Sequence, residues 1–389
     1  MKILHCIRSV NPKGGGPISG VIARGLVLKQ WGHLIKIVSL DAPNADFLEN
    51  LPVKVYPLGP GLTGYGYSSK LVPWLKKNAK NYDCVIINGI WQFNSFGTWL
   101  ALHRSSVPYF VFTHGMLDPW FKRTYPFKHL KKWLYWPWAD YRVLRDAKAV
   151  LFTSEAEKVL ARQSFWLYQC REKVVAYGTA APTGNPDIQS RLFSEKFPHL
   201  LNKRLVLFLS RIHVKKGCDL LIQAFAKICN HDERFHLVMA GPDQTGWQSD
   251  LEKLAENLGI ANRITWTGML QGDLKWGVFH SAEVFCLPSH QENFGIAVAE
   301  ALACGLPVLI SDQINIWQEI EADQAGFVAP DTLAGTIELL TRWLNLPNDD
   351  KLQMRQNAQA CFLSRFEIHQ ATESFLETIH SYLDQPSIH

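Results

Sequence analysis

The amino-acid sequence predicts an α/β protein of two domains, each built on a parallel β-sheet. Its 389 residues are more than one typical domain requires. Short apolar runs that are typical of buried strands alternate with longer runs of helical periodicity, which is the pattern of repeated βαβ units. A stretch rich in Gly, Pro, Asn and Ser separates two halves of similar layout. We therefore expect an N-terminal domain over 1–180, a linker over 181–203 and a C-terminal domain over 204–365.

The individual strands are predicted from these apolar runs. In the first half they are 3–7, 35–40, 53–57, 84–88, 109–113, 150–153 and 174–176, and in the second half 205–210, 236–240, 264–267, 284–287, 308–311 and 326–328. The tail, 366–389, carries apolar residues at helical spacing and predicts a final helix.

Composition and charge exclude several classes of protein. Hydrophobic residues make up 47% and charged residues 19%, which is ordinary for a packed globular chain. A formal charge of +5 allows an anionic partner but gives no reason to expect nucleic acid. The eight cysteines are isolated, so neither a zinc site nor a disulfide framework is indicated. We find no signal peptide and no apolar run of the ~20 residues that a membrane span requires, so we expect a cytoplasmic protein.

A glycine-rich loop follows the first predicted strand. It includes Gly15 and Gly16 and precedes a predicted helix at about 18–31. Glycines ahead of a helix start allow close approach of the backbone to a ligand. The spacing is neither the dinucleotide fingerprint nor a P-loop, because Ser19 stands where the third fingerprint glycine belongs and no Gly-Lys-Ser/Thr follows. An oxidoreductase or NTPase is therefore disfavoured, and a plain surface turn is the alternative.

His114 and Gly115 follow the predicted strand 109–113 directly. They would lie at the carboxyl edge of the sheet, where open α/β sheets bind ligands. A single histidine is as often structural as functional, and the residues alone leave both readings open.

The segment 120–138 has the least ordinary composition in the chain. Five lysines and arginines are interleaved with eight aromatic residues and no acid. A helix with an aromatic face and a basic face suits an anionic membrane surface. The alternative is that the aromatics fill the core of the first domain while the lysines are solvated. Pro137 argues against one straight helix.

A basic loop follows the first strand of the second half. Arg211 and Lys216 could both contact a phosphate, since Arg offers a forked donor and Lys a compact charge. A solvated basic loop is the alternative, and we expect Lys215 to be solvated.

The segment 285–307 contains a buried strand, a polar loop and a helix expected from Gly295 onward. The backbone N–H groups of Phe294, Gly295 and Ile296 would point out of the helix start, an arrangement that suits phosphate. Glu292 in the loop and Glu300 in the helix could each accept hydrogen bonds from adjacent hydroxyls of a sugar or ribose.

These motifs together resemble the donor site of family-4, group 1, retaining glycosyltransferases, including bacterial exopolysaccharide-type enzymes. The pattern is Glu292-x7-Glu300 with the Asn293-Phe294-Gly295 insert, preceded by Arg211 and Lys216. Family members commonly have Gly where this chain has Ser210. The resemblance implies the GT-B fold, in which two Rossmann-like domains face each other across a central cleft. It also implies that 366–389 returns to the first domain.

The resemblance implies a role for each candidate residue. Arg211, Lys216 and the helix start at 294–296 would hold the diphosphate of a nucleotide sugar. Glu292 and the backbone of Asn293 to Gly295 would hold the hexose, Glu300 the ribose, and Gly241 a turn near the nucleotide. His114 would position the donor sugar, while Gly15 and Gly16 would lie near the donor phosphates and the acceptor.

The implied reaction transfers a hexose with retention to a saccharide or lipid-linked saccharide, in polysaccharide or glycolipid synthesis. No cofactor or metal is expected, because no Asp-x-Asp occurs in the chain. The membrane hypothesis for 120–138 would place the protein at the inner face of the membrane. A nucleotide-sugar epimerase and a non-enzymatic nucleotide-sugar-binding protein are the alternatives.

Overall fold

The chain folds into two compact α/β units. The computed structural model describes residues 1–12, 15–49 and 51–384. Unit 1 comprises residues 1–178 and the tail from residue 368, and unit 2 comprises residues 179–367.

Unit 1 is a parallel β-sheet with helices packed on both of its faces. Its strands, within the described residues, are β1 (Lys2–Ile7), β2 (Leu34–Ser39), β3 (Lys54–Pro57), β4 (Cys84–Asn88), β5 (Tyr109–Phe112), β6 (Ala149–Phe152) and β7 (Glu172–Val174). Its helices are α1 (Gly16–Gln30), α2 (Leu71–Asn78), α3 (Phe93–Leu102), α4 (Trp120–Thr124), α5 (Pro126–Tyr135), α6 (Asp140–Arg145), α7 (Glu155–Ala161) and the tail helix α16 (Ile368–Leu383).

The strand order in unit 1 is β3-β2-β1-β4-β5-β6-β7, and every pairing is parallel. Alternate residues of one strand enter different cores because successive side chains point to opposite faces. Leu4 and Cys6 join the cluster under α2 and α3, whereas Ile3 and Ile7 join the cluster that contains Phe375 of α16. The tail helix is therefore part of the core of unit 1.

Unit 2 repeats this architecture. Its strands are β8 (Arg204–Leu209), β9 (Phe235–Ala240), β10 (Ile264–Gly268), β11 (Val284–Leu287), β12 (Val308–Ser311) and β13 (Gly326–Ala329). Its helices are α8 (Pro186–Lys196), α9 (Cys218–Ile228), α10 (Gln248–Asn257), α11 (Gly272–Ser281), α12 (Ile296–Ala303), α13 (Trp317–Ala322), α14 (Leu333–Asn345) and α15 (Asn348–Cys361). The sheet is parallel, with the order β10-β9-β8-β11-β12-β13.

Both sheets reverse strand order beside their first strand. In unit 1, β1 lies between β2 and β4, and in unit 2, β8 lies between β9 and β11. On the two sides of this strand the connections therefore run to opposite halves of the sheet, and their divergence opens a crevice at the carboxyl edge. In unit 2 the candidate residues follow β8, β9 and β11, whereas in unit 1 Gly15 and Gly16 follow β1 and His114 follows β5, two strands away from β1.

The expected linker over 181–203 is wrong in part, because it contains the helix α8. Asn185 caps this helix by accepting from the N–H groups of Asp187 and Ile188, and Pro186 occupies its first turn. Phe193 is buried, and Gly277 of α11 lies so close that a Cβ there would be 2.3 Å from the Gln189 carbonyl oxygen. The residues that resembled a linker are the cap of a packed helix.

The strands otherwise follow the predicted order with small shifts at their ends. The largest shift is at β7, which is Glu172–Val174 rather than 174–176. In the described part of the chain, no helix is both long enough and apolar enough to cross a membrane.

Candidate functional site

The loop after β8 carries both candidate cations of unit 2. Ser210 donates its N–H to the carbonyl of Ala240, which holds the strand end against β9. Arg211 is exposed, and its Nη1 lies 3.5 Å from Oε1 of Gln244. Lys216 ends a short 3₁₀ turn and is buried, with only 4% of its surface exposed. One guanidinium thus lies at the surface, while the lysine ammonium lies within the fold.

Two glycines let this loop approach its neighbours closely. Gly217 follows Lys216 with φ of +64°, and a Cβ there would lie 2.2 Å from the Pro288 carbonyl oxygen. Gly241 has φ of +147°, and its Cβ would lie 1.7 Å from the Ser210 carbonyl oxygen. Side chains at these positions would push apart the loops that follow β8, β9 and β11.

The loop between β11 and α12 is tied to the basic loop by hydrogen bonds. His290 donates its N–H to the carbonyl of Lys215 at 2.9 Å, and the Ser289 hydroxyl donates to the same carbonyl at 2.9 Å. Glu292 pairs through its backbone with Gln313 and Asn315, which follow β12. The loops that follow the neighbouring strands β8, β11 and β12 are therefore held together by hydrogen bonds at this edge of the sheet.

The start of α12 is shaped by Gly295, which is its N-cap residue. Gly295 has left-handed backbone angles, φ 76° and ψ 61°, and it provides no side-chain cap. For Gly295 and Ile296, no acceptor of the N–H occurs among the described residues. Phe294 is buried beneath the turn, where its ring contacts Phe366 edge to face. A helix start with uncapped N–H groups can bind an anion.

Lys216 and Glu292 form an ion pair between the two loops. Burial lowers the pKa of the Lys216 ammonium well below its ordinary value, and the charges of Lys215 and Arg211 lower it further. The Glu292 carboxylate is the adjacent negative charge. An anionic ligand beside Lys216 would supply the same stabilisation and would leave the carboxylate able to accept from hydroxyls.

Glu300 forms an ion pair that the sequence did not reveal. Its Oε1 lies 2.5 Å from Nζ of Lys275 on α11. Burial raises the pKa of Glu300, while the charge and hydrogen bond of Lys275 lower it. Lys275 belongs to no recognised motif. The only feature of the sequence that could have pointed to it is a single basic residue in an otherwise ordinary helix.

In unit 1, His114 lies at the carboxyl edge within a polar network. Its Nε2 is 3.2 Å from Oδ1 of Asn88, and Nδ2 of Asn88 is 3.1 Å from Nδ1 of His5. Burial first, and then the charge of Arg24, lower the pKa of His114 to about 3. His114 is therefore neutral near pH 7, and a neutral imidazole has one hydrogen-bond donor and one acceptor. Asn88, a polar residue that ends a buried strand, carried a signal that sequence reasoning missed.

Gly15 and Gly16 lie at the start of α1. Gly15 is the N-cap residue with φ of 84°, and Gly16 accepts a hydrogen bond through its carbonyl from the Tyr177 hydroxyl at 3.4 Å. Tyr177 also contacts the His114 ring, with 6.2 Å between ring centroids. Gly14, which belongs to the same predicted loop, lies outside the described residues.

The structure therefore brings the predicted residues together in two groups. Unit 2 collects the donor-site candidates, namely Arg211, Lys216, Gly241, Glu292, Asn293, Phe294, Gly295, Ile296 and Glu300, on the loops and helix after β8, β9 and β11. In unit 1, Tyr177 contacts both Gly16 and His114, and Gly15 precedes Gly16 as the N-cap residue of α1.

The basic aromatic segment does not fill the core as a whole. Trp136 is fully buried, but the face of α5 and the following turn is exposed: Phe127 is 85%, Leu130 56%, Leu134 61% and Trp138 69% exposed. The segment breaks into α4, α5 and a 3₁₀ turn over Trp136–Trp138. The core interpretation is thus wrong for this apolar face, which we call the α5 face.

Comparison with known families gives matches over both units. Residues 190–360 match the family model described as glycosyl transferases group 1. Residues 14–178 match the model described as glycosyl transferase 4-like domain.

Curated relatives are similar over part of their length. An alpha-D-kanosaminyltransferase of Streptomyces kanamyceticus is 27% identical over 194 residues, which are 50% of this chain and 50% of the relative. An uncharacterised glycosyltransferase of Methanocaldococcus jannaschii is 33% identical over 149 residues, 36% of this chain and 37% of the relative. The chain thus spans about half or less of the relatives that it matches.

Solved structures match over nearly the whole chain. Anabaena HepE, in complex with UDP and glucose, has a TM-score of 0.77 and 20% identity, covering 98% of this chain and 100% of HepE. The sucrose-phosphate synthase of Thermosynechococcus elongatus has a TM-score of 0.78 and 18% identity, covering 98% of this chain and 99% of the synthase. These likenesses establish the fold, and the two family models with the motifs of both units show that the chain belongs to the group 1 glycosyltransferases of GT-B fold.

Proposed function

We propose that this protein transfers a hexose from a nucleotide-diphosphate sugar to a saccharide or lipid-linked saccharide, with retention of anomeric configuration. The proposal rests on the Lys216–Glu292 pair, on the charge of Arg211 near Lys216, and on the uncapped start of α12, where Gly295 lies against the Glu292 side chain. This grouping offers fixed positive charge and backbone donors beside a carboxylate.

The chemistry explains why such a grouping is useful. Breaking the bond between the anomeric carbon and the diphosphate leaves growing negative charge on the departing phosphate. Arg211 can bind two phosphate oxygens, and Lys216 can add an ammonium whose charged form a bound anion would stabilise against the effect of burial. Donors aimed at charge that develops in the transition state are worth a few kcal/mol each. We propose that these groups replace a divalent ion and that no metal is required.

The two glutamates have separate roles in this proposal. Glu292 and the backbone of Asn293 to Gly295 hold the hexose, and Glu300 accepts from the ribose hydroxyls. Because Lys275 already contacts one oxygen of Glu300, the carboxylate is held in place and has lone pairs left for the ribose. A nucleotide-sugar donor is supported by the structure of HepE in complex with UDP-glucose, which is similar to this chain with a TM-score of 0.75.

Retention follows, by analogy with the family, from attack on the same face that the phosphate leaves, with the phosphate taking the acceptor's proton. In this scheme His114 polarises and positions the donor sugar through hydrogen bonds. Its lowered pKa supports that role, since a neutral imidazole offers one donor and one acceptor.

We propose further that the α5 face docks on an anionic membrane surface at the inner side of the membrane. Phe127, Leu130, Leu134 and Trp138 are exposed together, and no acid occurs between Asp118 and Asp140. Lys128 and Lys131 lie exposed on the same helix. Exposed aromatics beside cations suit the boundary between headgroups and acyl chains. A lipid-linked acceptor would be met at this surface.

Release of nucleoside diphosphate tests the activity. Nucleotide sugars are incubated with the protein, with and without a panel of p-nitrophenyl glycosides as surrogate acceptors. A transferase releases diphosphate faster with an acceptor, an epimerase converts the donor without release, and a binding protein does neither. The anomeric configuration of the product is read by NMR. Acceptor-independent conversion of the donor, or binding without turnover, would contradict the proposal.

A further inference from the structure

A small polar cavity in unit 1 lies outside the residues used so far. It has a volume of about 110 Å³ and is lined by Arg8, Ser9, Leu40, Asp41, Gly61 and Gly66. Arg8 and Ser9 directly follow β1, and Leu40 and Asp41 directly follow β2. The cavity is therefore at the carboxyl edge of the sheet, where ligands bind to this type of fold.

Arg8 is a cation without a paired acid. Among the described residues, no carboxylate lies within 4.0 Å of its guanidinium, and its Nε is buried without a hydrogen-bond partner. Gly66, with φ of +75°, lies against this side chain, and a Cβ there would be 3.3 Å from the Arg8 Nε. A guanidinium has five N–H donors, so Arg8 retains donors for a ligand in the cavity.

Asp41 presents acceptors in the same cavity. Its Oδ1 accepts from the Ser9 hydroxyl at 2.6 Å, and its Oδ2 accepts from the Val10 N–H at 2.8 Å. These bonds fix the carboxylate in one orientation. Each carboxylate oxygen has two lone pairs, so each can accept one further hydrogen bond.

A guanidinium and a fixed carboxylate that line the same cavity define the chemistry of the ligand. A phosphate or carboxylate would gain from Arg8 but would be repelled by Asp41. An apolar group would leave both charges unsatisfied. A hydroxyl both donates and accepts, so a pair of adjacent hydroxyls satisfies both side chains together. A volume of about 110 Å³, roughly that of three to four water molecules, holds such an edge of a sugar rather than a whole ring.

We propose that Arg8 and Asp41 form a subsite for adjacent hydroxyls of the acceptor saccharide. The cavity lies beside β1, and Asn88, which hydrogen-bonds to His114, ends the neighbouring strand β4. An acceptor that spans the crevice between these strands would reach the polar network of His114. The inference depends on the proposed function for its biological meaning, but the subsite itself is tested by binding.

Saturation-transfer NMR with p-nitrophenyl α-glucoside, α-mannoside and β-galactoside tests the subsite in the full-length protein. Wild type is compared with Arg8→Gln, Arg8→Lys and Asp41→Asn. Arg104→Gln is the control, since Arg104 is exposed and precedes β5. We expect at least one glycoside to bind wild type and Arg104→Gln, and to bind Arg8→Gln about tenfold more weakly or worse. Arg8→Lys, which keeps the charge, should recover part of the affinity.

The remaining outcomes overturn the inference. If no glycoside binds wild type, or if Arg8→Gln binds as wild type does, there is no hydroxyl subsite at Arg8. The cavity is an anion site if inorganic phosphate displaces the glycosides, if phosphate binding is lost in Arg8→Gln, and if phosphate binding is stronger in Asp41→Asn. Circular dichroism and the melting temperature show whether each variant folds. UDP binding, measured in parallel, reports the donor site of unit 2, so its failure would contradict the proposed function and leave the subsite result unaffected.

Discussion

The buried Lys216 is the residue on which the donor site depends most. It contacts Glu292 in the same unit, and its low exposure strengthens every charge interaction that it makes. Its neighbour Lys215 has a different role, because its backbone carbonyl accepts from Ser289 and His290. The sequence motif predicted Lys216 as a phosphate ligand. It could not predict the ion pair with Glu292. The loops that carry the two residues follow β8 and β11, which are far apart in the sequence but adjacent in the sheet.

Lys275 illustrates the limit of sequence reasoning at this scale. It lies 25 residues before Glu300 on a different helix, and no periodicity links the two. Motifs reveal residues whose spacing is set by one local structure, whereas this pair joins two helices, α11 and α12, that contact the neighbouring strands β8 and β11.

A buried histidine in unit 2 predicts loss of stability in acid. His236 is 5% exposed, and burial first, then the charges of His199, Lys203 and Arg263, lower its pKa to about 4. Because this pKa is below the unfolded value of 6.5, the stabilisation is complete above pH 6.5 and is lost as the pH falls toward 4. The free energy of unfolding should fall by about 1.4 kcal/mol per pH unit from this residue alone.

Urea unfolding at pH 6.5, 5.5 and 4.5 measures this effect. His236→Gln, which can keep the hydrogen bond to the Thr265 hydroxyl at 2.9 Å, should reduce the slope. His231→Gln is the matched control, because His231 is exposed. An unchanged slope in His236→Gln, or an equal change in the control, would show that His236 does not carry the effect.

At the scale of elements, the strands were predictable and the segment 181–203 was not. Parallel strands are buried on both faces, so runs such as Val284–Leu287 are continuously apolar and easy to recognise. The helix α8 has apolar residues at few positions and begins at Asn185-Pro186, which also resembles a linker. Composition alone cannot distinguish a loop from a helix cap.

The helix α5 poses the opposite problem, since its pattern was clear but its environment was not. The same aromatic spacing fits a core helix and an interfacial helix, and only burial separates them. Trp136 is in the core, while the α5 face is exposed.

We expect the α5 face to mediate membrane binding through both apolar contact and charge. Leu134→Ser should reduce recovery of the protein with floated liposomes that contain anionic lipid, because a buried leucine side chain contributes about 1.5–3 kcal/mol. Leu352→Ser in unit 2 is the matched control, since Leu352 is 60% exposed and Leu134 61%. Flotation that is equal with neutral and anionic liposomes, or unaffected by Leu134→Ser, would contradict docking by this face.

Across the whole molecule, the two units share one sheet architecture but carry different candidate residues. Each unit places its candidate residues after the carboxyl ends of its parallel strands. Unit 2 presents cations, a helix start and two glutamates, whereas unit 1 presents neutral hydrogen-bonding groups and the Arg8–Asp41 cavity. The motifs and the family resemblance predicted the candidate residues of each unit but not the Arg8–Asp41 cavity. The tail helix was expected in unit 1 only by resemblance, and Phe375 and Ile379 show the physical reason, since both are fully buried in its core.

We propose that Arg211, Lys216 and the start of α12 bind a nucleoside diphosphate without a divalent ion. Isothermal titration calorimetry with UDP and the other nucleoside diphosphates, in EDTA and in Mg²⁺, tests it most directly. We expect at least one nucleotide to bind with similar affinity in both buffers. We also expect that Lys216→Met weakens this binding about tenfold or more, while Lys215→Met leaves it unchanged. Binding that requires Mg²⁺, or that is the same in Lys216→Met as in wild type, would show that these cations do not replace a divalent ion.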